Sequence, residues 1–187
     1  MSALNSFSPV DLHTRSLLIR LLAMAIGTVL LAISSRIEVP MVPVPVTMQT
    51  FTVAMIGALY GWRLGTATVL TWLGQAALGL PVLAGGAGSL AHFAGPTGGY
   101  LVAFAVMAAQ IGWLAERGWN GDRAALAFLS MLAGNLICLA LGAAWLSRGI
   151  GWDAAITHGV LPFLIGAVLK SAVGALALRQ LGRARRA

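Results

Sequence analysis

Lys170 stands about twelve residues into the last long apolar run of the chain. At 1.5 Å per helical residue, its ammonium lies roughly 18 Å along that helix. This is near the middle of a hydrocarbon layer about 30 Å thick. A charge at that depth is costly and usually marks a function. Its neighbours four positions away on either side are Gly166 and Gly174, so the side chain faces a close-packed helix or a cavity rather than lipid. The five acids, Asp11, Glu38, Glu116, Asp122 and Asp153, all lie at run ends or in connections. No fixed acidic partner is therefore at hand. Either the lysine is neutral, or backbone carbonyls and a bound anion offset its charge, and a small acidic molecule is an economical counter-ion. The alternative is a structural lysine that snorkels.

Thr47, Gln49, Thr71, Gln75, Gln110 and Asn135 are the other polar groups in apolar surroundings. Each needs a hydrogen-bond partner there. Bonds between helices are the default. Gln49, after a proline-rich loop, and Asn135, beside a stripe of small residues, are the better ligand contacts. Trp62, Trp113, Trp119 and Trp152 fall near run ends, where aromatic belts sit. Trp145 is read either as an anchor or as a wall of a site. His13, His92 and His158 are scattered, and the one cysteine, Cys138, lies in an apolar run. HExxH and CxxC spacings are absent, so neither a metal site nor a disulfide within the chain is expected. Walker A and kinase motifs are missing too, which leaves the chain unable to hydrolyse ATP by itself. Ser89 and His92 are close in sequence but sit in a loop, and an intramembrane enzyme is not the expected reading.

These residues must be positioned by membrane-spanning helices. Of 187 residues, 59% are hydrophobic and only 9% are charged, with a mean hydropathy of +0.88. A soluble domain carries about 25% charged residues, and a disordered chain needs low hydrophobicity. Both classes are excluded, which leaves an all-α integral membrane protein forming one transmembrane domain over 1–187. The apolar runs are 17–35, 47–62, 64–80, 98–115, 124–146 and 158–179, which predicts a six-helix bundle. The net charge of +7 follows topology, not nucleic acid. With a cytoplasmic N-terminus and six crossings, Arg15, Arg20, Arg63, Arg117, Arg123, Arg179, Arg183, Arg185 and Arg186 fall inside, against Arg36 and Arg148 outside. Nine against two satisfies the positive-inside rule. Both termini are then cytoplasmic, because an odd number of spans would place the basic tail outside.

Two outer loops are unlike ordinary connections. Pro40, Pro43 and Pro45 exclude a helix between Arg36 and Thr50 and favour extended polyproline II. Such a stiff apolar segment suits a lid over a cavity. The second loop, between Leu80 and Tyr100, contains Gly85, Gly86, Gly88, Gly95, Gly98 and Gly99. Irregular backbone at membrane depth is tolerated only when buried in protein or lining a cavity, so this loop should fold back over the bundle. Gly98-Gly99-Tyr100 at a helix start offers backbone N–H groups to an anion. Elsewhere, small residues four apart (Ala23 and Gly27; Gly57, Gly61 and Gly65; Ser130, Gly134, Cys138 and Gly142) let helices approach closely. Most such faces pack within the chain; Ala23 and Gly27 on the first span are the candidates for docking a partner.

Three motifs then carry a resemblance. Val44-Pro-Val-Thr-Met-Gln-Thr-Phe51, Leu78-Gly-Leu-Pro-Val-Leu-Ala-Gly-Gly86 and Gly95-Pro-Thr-Gly-Gly-Tyr-Leu101 resemble the signatures of the BioY family. These are the biotin-specific S-components of energy-coupling factor (ECF) transporters. Pro162-Phe-Leu-Ile-Gly-Ala-Val-Leu-Lys170 resembles the family's last-helix motif. The resemblance implies high-affinity biotin binding near the outer face, under the two loops, in the bacterial cytoplasmic (inner) membrane. It implies docking through Ala23 and Gly27 to a transmembrane coupling subunit and two ATPase subunits, which alone use ATP, with no cofactor on this chain. Lys170 matches the family's biotin-binding lysine, whereas Ala167 stands where the family usually carries an aspartate. Read together, the residues and the resemblance give a substrate set of Lys170, Gln49, Thr47, Gly85, Gly86, Ala87, Tyr100, Asn135 and Trp145. A solitary biotin carrier, an S-component-like binder of another small carboxylate or vitamin, and self-association stay open as alternatives.

Overall fold

The computed structural model describes residues 10, 12 and 15–184. Asp11, His13, Arg185 and Arg186, all used in the sequence reading, lie outside the described residues. The chain runs through α1 (Leu17–Arg36), a hairpin of β1 (Glu38–Val39) and β2 (Val46–Thr47), α2 (Gln49–Ala77), α3 (Gly98–Glu116), α4 (Ala124–Ile150), α5 (Trp152–Gly159) and α6 (Leu161–Ala184). Five of these helices, all but α5, are long and apolar enough to cross a membrane. Helices are the expected outcome, because each apolar run must satisfy its own backbone groups in lipid.

The runs 47–62 and 64–80 are expected as separate spans, and the structure breaks the helical backbone of α2 within two residues of that boundary. The chain reverses inside it at Gly61, with φ 78° and ψ 175°. That region of backbone space is essentially glycine-only. A Cβ on Gly65 would lie 3.2 Å from the Gly57 Cα, so the arms on either side of Gly61 pack directly together. The last run differs. Residues 152–159 form the separate short helix α5, and α6 begins only at Leu161.

Helix ends follow local chemistry. Gly79 and Gly118 have φ of 97° and 90°. Each begins a Schellman stop: Leu80 N–H reaches the Gln75 carbonyl, and Trp119 N–H reaches that of Leu114. The core is built where the small-residue stripes let α2, α3, α4 and α6 meet. Trp72, Met107, Ile111 and Met131 are almost fully buried there. The outward faces of α1 and α6 carry exposed Leu, Ile and Val side chains, as lipid-facing helices require.

The stripe on α1 faces inward. The Tyr60 hydroxyl donates to the Ala23 carbonyl at 3.0 Å. A Cβ on Gly27 would lie 2.6 Å from Thr68 Cγ2. In this structure half-buried Ala23 and buried Gly27 therefore serve the α1–α2 contact.

Candidate functional site: a cavity under two loops

The proline-rich segment is not polyproline II throughout. It closes as a two-rung antiparallel hairpin, pairing Glu38 with Thr47 and Val39 with Val46. Its apex, with Pro40, Met41, Pro43, Val44 and Pro45, covers a cavity of about 280 Å³. Small-molecule pockets run from about 300 Å³ upward, so the volume suits one small ligand. The glycine-rich loop folds into two 3-10 turns, Ala84–Gly86 and Leu90–Ala94, and supplies another wall through Leu83, Ala84, Gly85, His92, Pro96 and Thr97. This is the folding-back that its composition demands.

Two indoles hold that loop at its ends. Trp72 Nε1 donates to the Val82 carbonyl at 3.1 Å, and Trp145 Nε1 to the Gly95 carbonyl at 2.9 Å. Ser35 Oγ also donates to Val82, and the Arg36 guanidinium donates to the Pro81 carbonyl. Glu38 accepts the Gly85 N–H at 3.2 Å and so joins the hairpin to the loop.

The deep end of the cavity gathers polar groups from three helices. From α6, Lys170 Nζ donates to the Thr47 carbonyl and, at 3.1 Å, to Thr50 Oγ1. Carbonyl and hydroxyl oxygens thus solvate the ammonium, and its third N–H has no partner among the described residues. At the start of α2, Gln49 Oε1 accepts from Thr47 Oγ1 at 2.9 Å, while Gln49 Nε2 is buried without a partner among the described residues. On α4, Asn135 Nδ2 donates to the Met131 carbonyl and to Ser171 Oγ, which commits both its hydrogens. Asn135 Oδ1 is then the acceptor it can offer to the cavity. Leu101, Phe104, Cys138, Leu139, Phe163 and Ala167 complete apolar walls.

The structure brings Lys170, Gln49, Thr47, Gly85, Tyr100 and Asn135 together around this space. Tyr100 enters with its ring, stacked on Phe163 with centroids 6.4 Å apart; its hydroxyl donates to the Gly159 carbonyl at 2.8 Å. Gly86, Ala87 and Trp145 are not lining residues. Gly86 sits against the Arg36 guanidinium. The Ala87 carbonyl accepts the Leu83 N–H within the loop. Trp145 is the staple described above. Nor do the backbone amides at the start of α3 form an open anion site. The Gly98 N–H donates to Gly95, and a Cβ on Gly99 would meet Trp145 at 2.2 Å. These glycines serve close packing. Sequence reasoning missed His92 and Phe163 as wall residues. Their only signal was position: one lies in the glycine-rich loop, the other seven residues before Lys170.

An apolar helical bundle that encloses a small cavity beneath two loops, with converging polar groups at its base, defines a substrate-binding membrane protein. The BioY family model matches residues 5–187. The chain belongs to the BioY family. Similar proteins include the biotin transporter BioY of Rhizobium etli, 39% identical over 92% of this chain and 94% of the relative. The probable biotin transporter BioY of Pyrococcus horikoshii is 35% identical over 84% of this chain and 92% of the relative. The crystal structure of the S-component for biotin from an ECF-type ABC transporter superposes with a TM-score of 0.81 at 29% identity, covering 89% of this chain and 92% of that one. These relatives are transporters, not enzymes, and the chain is a multi-pass membrane protein.

Proposed function

We propose that this protein binds biotin with high affinity and acts as the substrate-specific component of an ECF-type transporter in the bacterial inner membrane. The observation that carries the reading is the deep polar end of the cavity. The Lys170 ammonium and the Gln49 amide N–H groups are donors, and Asn135 Oδ1 is an acceptor. A cyclic urea presents one carbonyl to the donors and a ring N–H to the acceptor. The Tyr100, Phe104, Leu139 and Phe163 walls suit the apolar bicycle and valeryl chain.

Uptake then needs energy from elsewhere, and two ATPase subunits acting through a transmembrane coupling subunit supply it. Six crossings with both termini cytoplasmic fit the reversal at Gly61, which lets each arm of α2 serve as one crossing. Because Ala23 and Gly27 face α2, the coupling subunit has the neighbouring side of α1 to dock on, where Leu22, Ala25, Ile26 and Val29 are exposed.

Calorimetric titration of the purified chain, alone in detergent, tests the reading. Biotin should bind tightly. Lys170→Ala should weaken it roughly ten- to a hundred-fold, the loss of one hydrogen bond from a charged group. Failure of the parent chain to bind biotin would overturn the proposal.

A further inference from the structure

We infer that His92, oriented by Thr97, receives the carboxylate of the ligand at the cavity mouth and sets the preference for the free acid. The inference rests on the biotin reading above and deepens it. The deep end matches a neutral urea, since two of the three Lys170 N–H groups are already taken by Thr47 and Thr50. Biotin carries its carboxylate at the end of the valeryl chain remote from the urea. With the urea seated deep, the acid lies at the mouth.

The exposed lining residues, Pro40, Met41, Gly85 and Pro96, mark the mouth, whereas Thr47, Gln49, Tyr100 and Asn135 are buried at the other end, and the mouth is mostly apolar. Its charged or chargeable lining residues are Glu38 and His92. Glu38 is engaged with the Gly85 N–H and repels an anion. His92 is the one cation-capable lining residue besides Lys170 among the described residues. Its backbone is fixed: the His92 N–H reaches the Ser89 carbonyl at 3.1 Å and Ser89 Oγ at 3.3 Å. Its ring Nε2 lies 3.3 Å from Thr97 Oγ1. When the threonine hydroxyl donates to Nε2, the ring proton sits on Nδ1. That nitrogen can then donate to a carboxylate, and imidazolium donates from it as well.

The test is titration of biotin and of biotin amide into the purified parent chain and the His92→Ala, His92→Lys and Lys170→Ala variants. The parent should favour the acid about tenfold or more, the worth of one charge-assisted hydrogen bond. His92→Ala should weaken biotin by about that factor and leave the amide within about twofold. His92→Lys should restore the preference, which a merely structural histidine would not allow. Lys170→Ala should weaken both ligands equally. The inference is overturned if the parent does not discriminate, if His92→Ala affects both ligands alike or neither, or if Lys170→Ala erases the preference. If the parent binds neither ligand, the biotin reading itself fails, which is a separate result.

Discussion

At Gln49 a buried amide nitrogen has no bond among the described residues. An unpaired buried donor costs about 1–3 kcal/mol, so removing it need not harm the fold. Gln49→Leu should change stability by no more than about 1 kcal/mol, since the lost Thr47 bond is offset by the relieved donor. Its biotin affinity should fall about tenfold. Thermal unfolding and titration on the same sample read both quantities. A large stability loss with full affinity would make Gln49 a structural residue. Lys170, Gln49 and Asn135 were legible because a polar group in an apolar run must be accounted for. Tyr100 and Phe163 were less so, since an aromatic ring in an apolar helix looks the same whether it faces a ligand or a neighbour. Trp145 shows the limit of pattern. Its place near a helix end suggested a belt or a wall, and only the folded loop gives its N–H the Gly95 carbonyl.

Among the elements, the reversal in α2 depends most on one residue type. At Gly61 an added Cβ meets a backbone conformation that costs about 1–3 kcal/mol for other residues. Gly112 supports the same turn, for a Cβ there would lie 2.4 Å from the Trp62 nitrogen. Gly61→Ala and Gly112→Ala should each lower the unfolding temperature in detergent, whereas Gly74→Ala, with nothing within 4 Å of its Cβ, should not. Equal behaviour of all three would refute this account. The outer spans were readable within a few residues: 17–35 became Leu17–Arg36, and 98–115 became Gly98–Glu116. The boundary between the runs 47–62 and 64–80 fell within two residues of Gly61, but the role of Gly61 itself was not readable, because it also fitted a small-residue stripe and periodicity does not distinguish packing from reversal. The short helix α5 was not read, because Trp152–Gly159 carries Asp153, Thr157 and His158 and so looks like a connection.

For the whole molecule, the basic residues give orientation a testable sign. Val42, at the hairpin apex, is 92% exposed, and Arg183 lies near the far end of α6. In intact cells an impermeant maleimide should label Val42→Cys, and should label Arg183→Cys only after permeabilisation. The native Cys138 is buried and should stay silent. The opposite pattern would invert the topology. The helical class was legible because lipid imposes helices on apolar runs, and the family was legible from motifs concentrated within residues 43–104. The cavity was legible only as two unusual loops, since its shape depends on long-range closure. The paired indoles at the ends of the glycine-rich loop have an optical consequence. Trp72 and Trp145 are intrinsic fluorophores, and each donates its N–H to the loop's own backbone. Any excursion of the loop that releases either carbonyl changes the polarity that indole senses, so such a movement is readable in ultraviolet emission without an attached dye.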